Sequence, residues 1–162
     1  ENSRWYSSRL AKSVTAERLP EMDEIAGKWK VVKTEGEFEK FLQDRGVPLP
    51  IRKLLAFSTT GGKFEYVVAD GAFTETEYGM LSNTTYKPIP FDGTAVEDKA
   101  PSGENVKKTA TVADGKLTIL SDIIGEEGEG VDSEIWKADG KVYRKFWNRK
   151  TGSGFTSTME AF

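Results

Sequence analysis

A β-rich run followed at once by two short helical patterns, and then by little except strands, leaves this chain few architectures. Residues 25–32 read Ile-Ala-Gly-Lys-Trp-Lys-Val-Val, an apolar run opened by Gly27 and anchored by Trp29. From Glu37 the period changes. Phe38, Phe41 and Leu42 fall at i, i+3 and i+4, on one face of a helix. Gly46 ends that helix, as a residue that tolerates positive φ at a helix terminus. Pro48 and Pro50 then shape a turn, and Pro50 suits the first turn of a second helix, where its missing N–H costs nothing. Ile51, Leu54 and Leu55 give that helix a small apolar face, with Arg52 and Lys53 pointing elsewhere. The pattern predicts a strand, a helical hairpin and a long β run.

After Ala56 the chain breaks itself into short strands at turn signals. Runs at 57–59, 63–68 and 73–81 come first, then a loop or broken strand at 82–90 with two prolines, and an edge strand at 91–97. A loop at 99–105 leads to strands at 106–112 and 116–124, an acidic turn at 125–130, and strands at 131–137, 142–147 and 155–162. Asp114-Gly115 and Asp139-Gly140 are hairpin turns of the favoured kind, and Asp70-Gly71 marks a further turn. Successive hairpins make an antiparallel meander, and closing it removes its exposed edges. The predicted fold is mainly β: a ten-stranded antiparallel up-and-down barrel with a helix-turn-helix lid after the first strand. It occupies residues 25–162, preceded by an N-terminal extension over 1–24. A barrel of this size holds one small ligand inside.

Composition removes several kinds of chemistry. There is no His and no Cys among the 162 residues, which excludes thiol nucleophiles, imidazole bases and most zinc or haem sites. No nucleophile–base pair stands out, Glu75 and Glu77 read as an exposed strand face, and neither an enzyme nor a cofactor is expected. A net charge of −3 argues against a general nucleic-acid surface. No apolar run approaches the ~20 residues of a membrane-spanning helix. In the extension, Tyr6, Leu10 and Val14 recur at i, i+4 and i+8 among Arg4, Arg9, Lys12 and Arg18. This reads as an arm packed loosely on the barrel or partly disordered, with an amphipathic arm for an anionic membrane as the alternative. The chain starts at Glu1 and not at Met, which leans toward signal cleavage and secretion, with a cytoplasmic protein as the alternative. Asn83-Thr84-Thr85 is a glycosylation sequon that matters only in that case.

Taken in order, several motifs resemble the intracellular lipid-binding protein family, the fatty-acid-binding and retinoid-binding β-clams of the calycin superfamily. Gly27-Lys28-Trp29-Lys30 is similar to the family's opening Gly-x-Trp-Lys, and residues 37–42 to its first helix. Gly46-Val47 with Arg52-Lys53 resembles its helix-turn-helix, and Phe73-Thr-Glu-Thr-Glu77 its Phe-Lys-Asn-Thr-Glu, whose Phe sits on the turn beside the entry portal. Extra residues around 82–90, 99–104 and 125–130 look more like secreted invertebrate members, such as those of nematodes. A lipocalin also opens with Gly-x-Trp, but it places its long helix near the C-terminus.

The resemblance implies non-enzymatic binding and transport of a fatty acid or similar hydrophobic ligand by a monomer. The alternative is a protective or structural barrel with lost or altered specificity. The family holds a carboxylate with Arg-x-Tyr on the last strand and a second Arg two strands earlier. Here residues 155–162 contain neither Arg nor Tyr, and the earlier Arg falls at Ile135. Counted forward from the Asp139-Gly140 turn, Val142, Arg144 and Phe146 share one face and Tyr143, Lys145 and Trp147 the other, which makes Arg144 the candidate internal cation. A buried Arg needs a carboxylate, from the ligand or from a neighbouring strand, with Glu134 and Glu160 as candidates. Thr156, Ser157 and Thr158 offer hydroxyls where the family has Arg and Tyr, which favours a neutral or water-mediated head group. The expected ligand-binding set is Arg144, Phe38, Phe41, Phe73, Phe146, Tyr66, Ile135 and Ser157, with Trp29 as a structural plug near the floor. Arg52 and Lys53 read either as a transient contact for anionic membranes or as a solvated helix face.

Overall fold

The computed structural model describes residues 20–162; the arm residues Arg4, Tyr6, Arg9, Leu10, Lys12, Val14 and Arg18 lie outside the described residues. One helical turn, α1 (Pro20–Asp23), leads into β1 (Gly27–Gly36) and the helical pair α2 (Phe38–Asp44) and α3 (Leu49–Ala56). Ten more strand segments follow: β2 (Lys63–Ala69), β3 (Ala72–Tyr78), β4 (Asn83–Thr85), β5 (Ile89–Pro90), β6 (Val96–Lys99), β7 (Asn105–Ala113), β8 (Lys116–Ile123), β9 (Val131–Ala138), β10 (Lys141–Asn148) and β11 (Gly154–Ala161). They form one antiparallel sheet in the order β4-β3-β2-β1-β11-β10-β9-β8-β7-β6, with β5 also paired to β3. Segments β4 and β5 are two halves of one broken strand, so the barrel has the ten strand positions expected. Closure is incomplete. Between β5 and β6 the described residues show a seam in place of a ladder. Lys87 bridges it, its N–H donating to Asp98 Oδ2 at 2.8 Å and its Nζ to Glu97 O at 3.0 Å.

Local chemistry sets the hairpins. Asp70, Asp114 and Asp139 have φ of 53°, 52° and 52°, and the glycines after them φ of 71°, 71° and 75°. Two consecutive positive φ values match the right-handed twist of the strands they join, and Asp-Gly pairs tolerate them. All three turns lie at one end of the barrel. That floor is sealed by Trp29, whose Nε1 donates to Ile25 O at 2.7 Å, packed in one buried cluster with Met22, Leu117 and Ile135. Met22, from the segment read as an extension, is thus part of the core.

The opposite end carries the lid. Gly36 has φ of 105°, and a side chain there would meet Gly154 O at 2.9 Å, so the chain leaves β1 in close contact with β11. Glu37 N–H donates to that same carbonyl at 2.8 Å. Helix α2 buries Phe41, with Phe38 beside it. Helix α3 buries no residue: Leu49, Ile51, Leu54 and Leu55, which include its apolar face, all face solvent, followed by Phe57 at 91 % exposure. Residues 57–59 are loop and not strand, and β6 begins only at Val96. The strand read over 73–81 ends at Tyr78, leaving Met80 and Leu81 fully exposed on the turn to β4.

Candidate ligand-binding site

The barrel encloses a cavity of about 310 Å³. Counting from the Asp139-Gly140 turn places its main polar group correctly: Val142 and Arg144 are buried, Phe146 lines the cavity, and Tyr143 stacks on Trp136 on the outer face, centroids 5.6 Å apart. Arg144, Tyr66, Phe73, Phe146 and Ser157 all line the cavity. Ile135 is adjacent to Arg144 in the ladder but belongs to the packed floor. Phe38 and Phe41 do not line the cavity. They pack edge-on against Phe155, at 4.9 and 5.2 Å, and Phe155 stacks on Phe146 at 5.2 Å. Phe146 in turn lies 4.5 Å beneath the Arg144 guanidinium. The rings make a column from lid to cation.

Phe73 is not at the portal. It is 1 % exposed, opens β3 next to a floor turn, and packs on Tyr66 with centroids 5.2 Å apart. The exposed apolar residues on a lid-end turn are Met80 and Leu81, which the sequence reading absorbed into a strand.

The counter-charge of Arg144 is neither Glu134 nor Glu160. Those face outward to Lys116 (3.9 Å) and Lys141 (3.2 Å). Arg144 Nη1 pairs with Glu75 of β3 and donates to Tyr66 Oη at 3.2 Å. Glu75 and Glu77 are therefore inside, contrary to their reading as an exposed strand face. Alternation from the inward Phe73 carries the signal, because residues 75 and 77 share its face. Glu77 accepts from Tyr86 Oη at 3.2 Å. Lys108, on β7 between buried Val106 and Ala110, lies over the Tyr86 ring at 4.5 Å and within 4.0 Å of Asp98 Oδ2. Burial pushes the Tyr66 phenol up to about 12, with Arg144 opposing and Glu75 assisting. Burial, then the Glu77 carboxylate, raises Tyr86 as well, so both phenols stay protonated. Burial lowers Lys108. On β11 the inward residues after Phe155 are Ser157 and Met159; Thr156 and Thr158 alternate to the other face.

The lid is tied down by its own charges. Arg45 pairs with Glu104 of the β6–β7 turn, Lys53 with Glu39 at 2.7 Å, and Arg52 Nη1 donates to Val47 O at 2.9 Å. Asp44 accepts from Ser153 Oγ (2.6 Å), Thr151 Oγ1 (2.8 Å) and Lys40 Nζ (3.0 Å). Those bonds, Ser153 foremost, hold its carboxyl down at about 2 against an ordinary 3.8. A depressed folded-state pKa contributes stability above the unfolded value that is lost as pH falls through the folded one. Urea midpoints taken from pH 5 down to about 2 should therefore fall more steeply in the parent than in Asp44→Asn. Parallel profiles would mean that this carboxylate does not anchor the lid.

An antiparallel wall that closes except at one seam, a helical lid and an interior cavity with one polar cluster define the class: a β-clam. No family model matches the chain. A curated relative, fatty acid-binding protein homolog 5 of Caenorhabditis elegans, is 30% identical over 96 residues, which span 59% of this chain and 66% of that protein. Two solved structures share the fold. Lipid binding protein 8 of Caenorhabditis elegans has a TM-score of 0.72 at 23% identity, covering 87% of this chain and 97% of its own. Echinococcus granulosus fatty-acid-binding protein 1 has a TM-score of 0.70 at 17% identity, covering 86% and 98%. The fold is thus the β-clam of these lipid-binding proteins, and over 96 residues the sequence is related to a fatty acid-binding protein homolog.

Proposed function

We propose that the protein binds one fatty acid or similar long-chain lipid inside the barrel and carries it without chemical turnover. The observation that carries this reading is the cavity itself. Its wall is apolar at Val31, Phe64, Phe73, Ile89 and Met159, and its polar groups are gathered around Arg144. Apolar walls with a few convergent polar groups suit a ligand that is mostly chain with one polar end. The likeness to proteins named for fatty-acid and lipid binding supports it. Native mass spectrometry followed by organic extraction tests it: one lipid per chain is expected. No lipid, together with no uptake of a neutral fluorescent probe, would favour a barrel that has lost its ligand.

Contact with a membrane during transfer is part of the proposal, and its basis differs from a basic patch. Lys53 is paired and Arg52 is held by a carbonyl, whereas α3 exposes Leu49, Ile51, Leu54 and Leu55 beside Phe57. Exposed apolar side chains insert at the acyl boundary, and that attraction is not screened by salt. Association with vesicles should survive high salt and drop sharply in Leu54→Glu and Phe57→Glu, with Lys53→Glu close to the parent. The reverse order would return the contact to the charges.

A further inference from the structure

The cavity already holds the counter-charge of its own cation. Arg144, 8 % exposed, spends Nη1 on Glu75 and Tyr66, and its Nε–H is buried with no partner. Two positions further along β3, Glu77 takes the Tyr86 hydroxyl and retains acceptor capacity, as any carboxylate with one donor does. Lys108 stands near Asp98 at 4.0 Å. Around one small space Arg144 thus pairs with Glu75 and Lys108 with Asp98, which stands behind the cavity wall, and Glu77 has no cation within ion-pair distance among the described residues. Lys87, at the rim, turns its ammonium away to Glu97 O.

Three kinds of polar end fare differently here. A carboxylate pairs with the Arg144 guanidinium at the cavity wall but brings a further negative charge beside Glu75 and Glu77, where low dielectric strengthens repulsion. An ammonium suits the carboxylates but has no lone pair for that guanidinium. A hydroxyl does both: its oxygen accepts from the guanidinium and its proton goes to a carboxylate, with no net charge moved into the barrel. Ser133 and Ser157 on the same wall are compatible with such a group. We propose that this cavity selects a neutral, hydroxyl-bearing long-chain lipid over the corresponding fatty acid, with Arg144 as the donor and Glu75 and Glu77 as the groups that exclude the carboxylate.

This inference rests on the carrier reading, and one experiment separates the two. The full chain, stripped of lipid, is loaded with the neutral dye Nile red and titrated at mildly alkaline pH with hexadecanol, hexadecanoic acid and hexadecylamine. The alcohol is expected to displace the dye about tenfold more tightly than either ion. Glu75→Gln, which removes the counter-charge but keeps an acceptor for Arg144, should raise affinity for the acid about tenfold. Glu77→Gln, which leaves the Arg144 pair intact, should move the acid the same way and serves if Glu75→Gln does not fold. An acid that binds the parent as tightly as the alcohol overturns the head-group assignment and leaves the carrier standing. Failure of the dye and all three compounds to bind overturns both.

Discussion

Replacing Arg144 with methionine is expected to destabilise the lipid-free protein by about 3–5 kcal/mol, because it strands the Glu75 carboxylate inside the barrel without its counter-charge. The side chains of the pair are 10 % and 14 % exposed, so water cannot replace the lost partner fully. The same substitution also takes a donor from the buried Tyr66 hydroxyl. The companion variant decides the cause. Arg144→Met combined with Glu75→Leu removes both charges and fills similar volume, and it should return to within about 1 kcal/mol of the parent, since apolar replacement of a buried pair is often neutral. Urea midpoints at constant slope measure both. If Arg144→Met alone costs under about 1 kcal/mol, the pair is solvated in solution and the charge argument for the cavity weakens with it.

Phe73→Ala is expected to cost about 3–4 kcal/mol, the range for truncating a buried aromatic ring. The ring is packed against Tyr66 in the cluster that also holds Ile89 and Met159, and the loss would leave a cavity in the lower half of the barrel. A residue at the portal would behave otherwise, altering ligand exchange at little cost in stability. That behaviour is expected of Met80→Ser and Leu81→Ser, whose side chains are fully exposed and whose effect on stability should stay within about 0.5 kcal/mol. A stable Phe73→Ala protein with altered exchange would restore Phe73 to the mouth.

The order of elements follows from the amino-acid sequence, and for local reasons. Gly27 and Trp29 open the first strand, Phe38 and Phe41 share a helix face, and three Asp-Gly pairs set hairpins whose register then carries along each strand. Counting by two from one such turn was enough to aim Arg144 inward, because side chains alternate strictly in a strand. The same count from Phe73 aims Glu75 and Glu77 inward. It was outweighed by the expectation that acidic pairs face water, which holds only until a strand on the far wall supplies a cation.

What each inward group meets is settled by long-range packing. Arg144 finds Glu75 and Tyr66, which are 69 and 78 residues away, and Asp44 finds Ser153 at 109. Alternation says which residues share a face, but barrel closure chooses which faces oppose each other across the cavity. The lid shows the same limit. The apolar face of α3 was legible, yet its burial was not, since a short helix at a barrel mouth has one side against the sheet and one against solvent. Motif likeness put Phe73 at the portal one strand away from the turn that occupies that end, whereas the Asp70-Gly71 hairpin sets Phe73 opposite Val68 beside the floor, and its contact with Tyr66 buries it there.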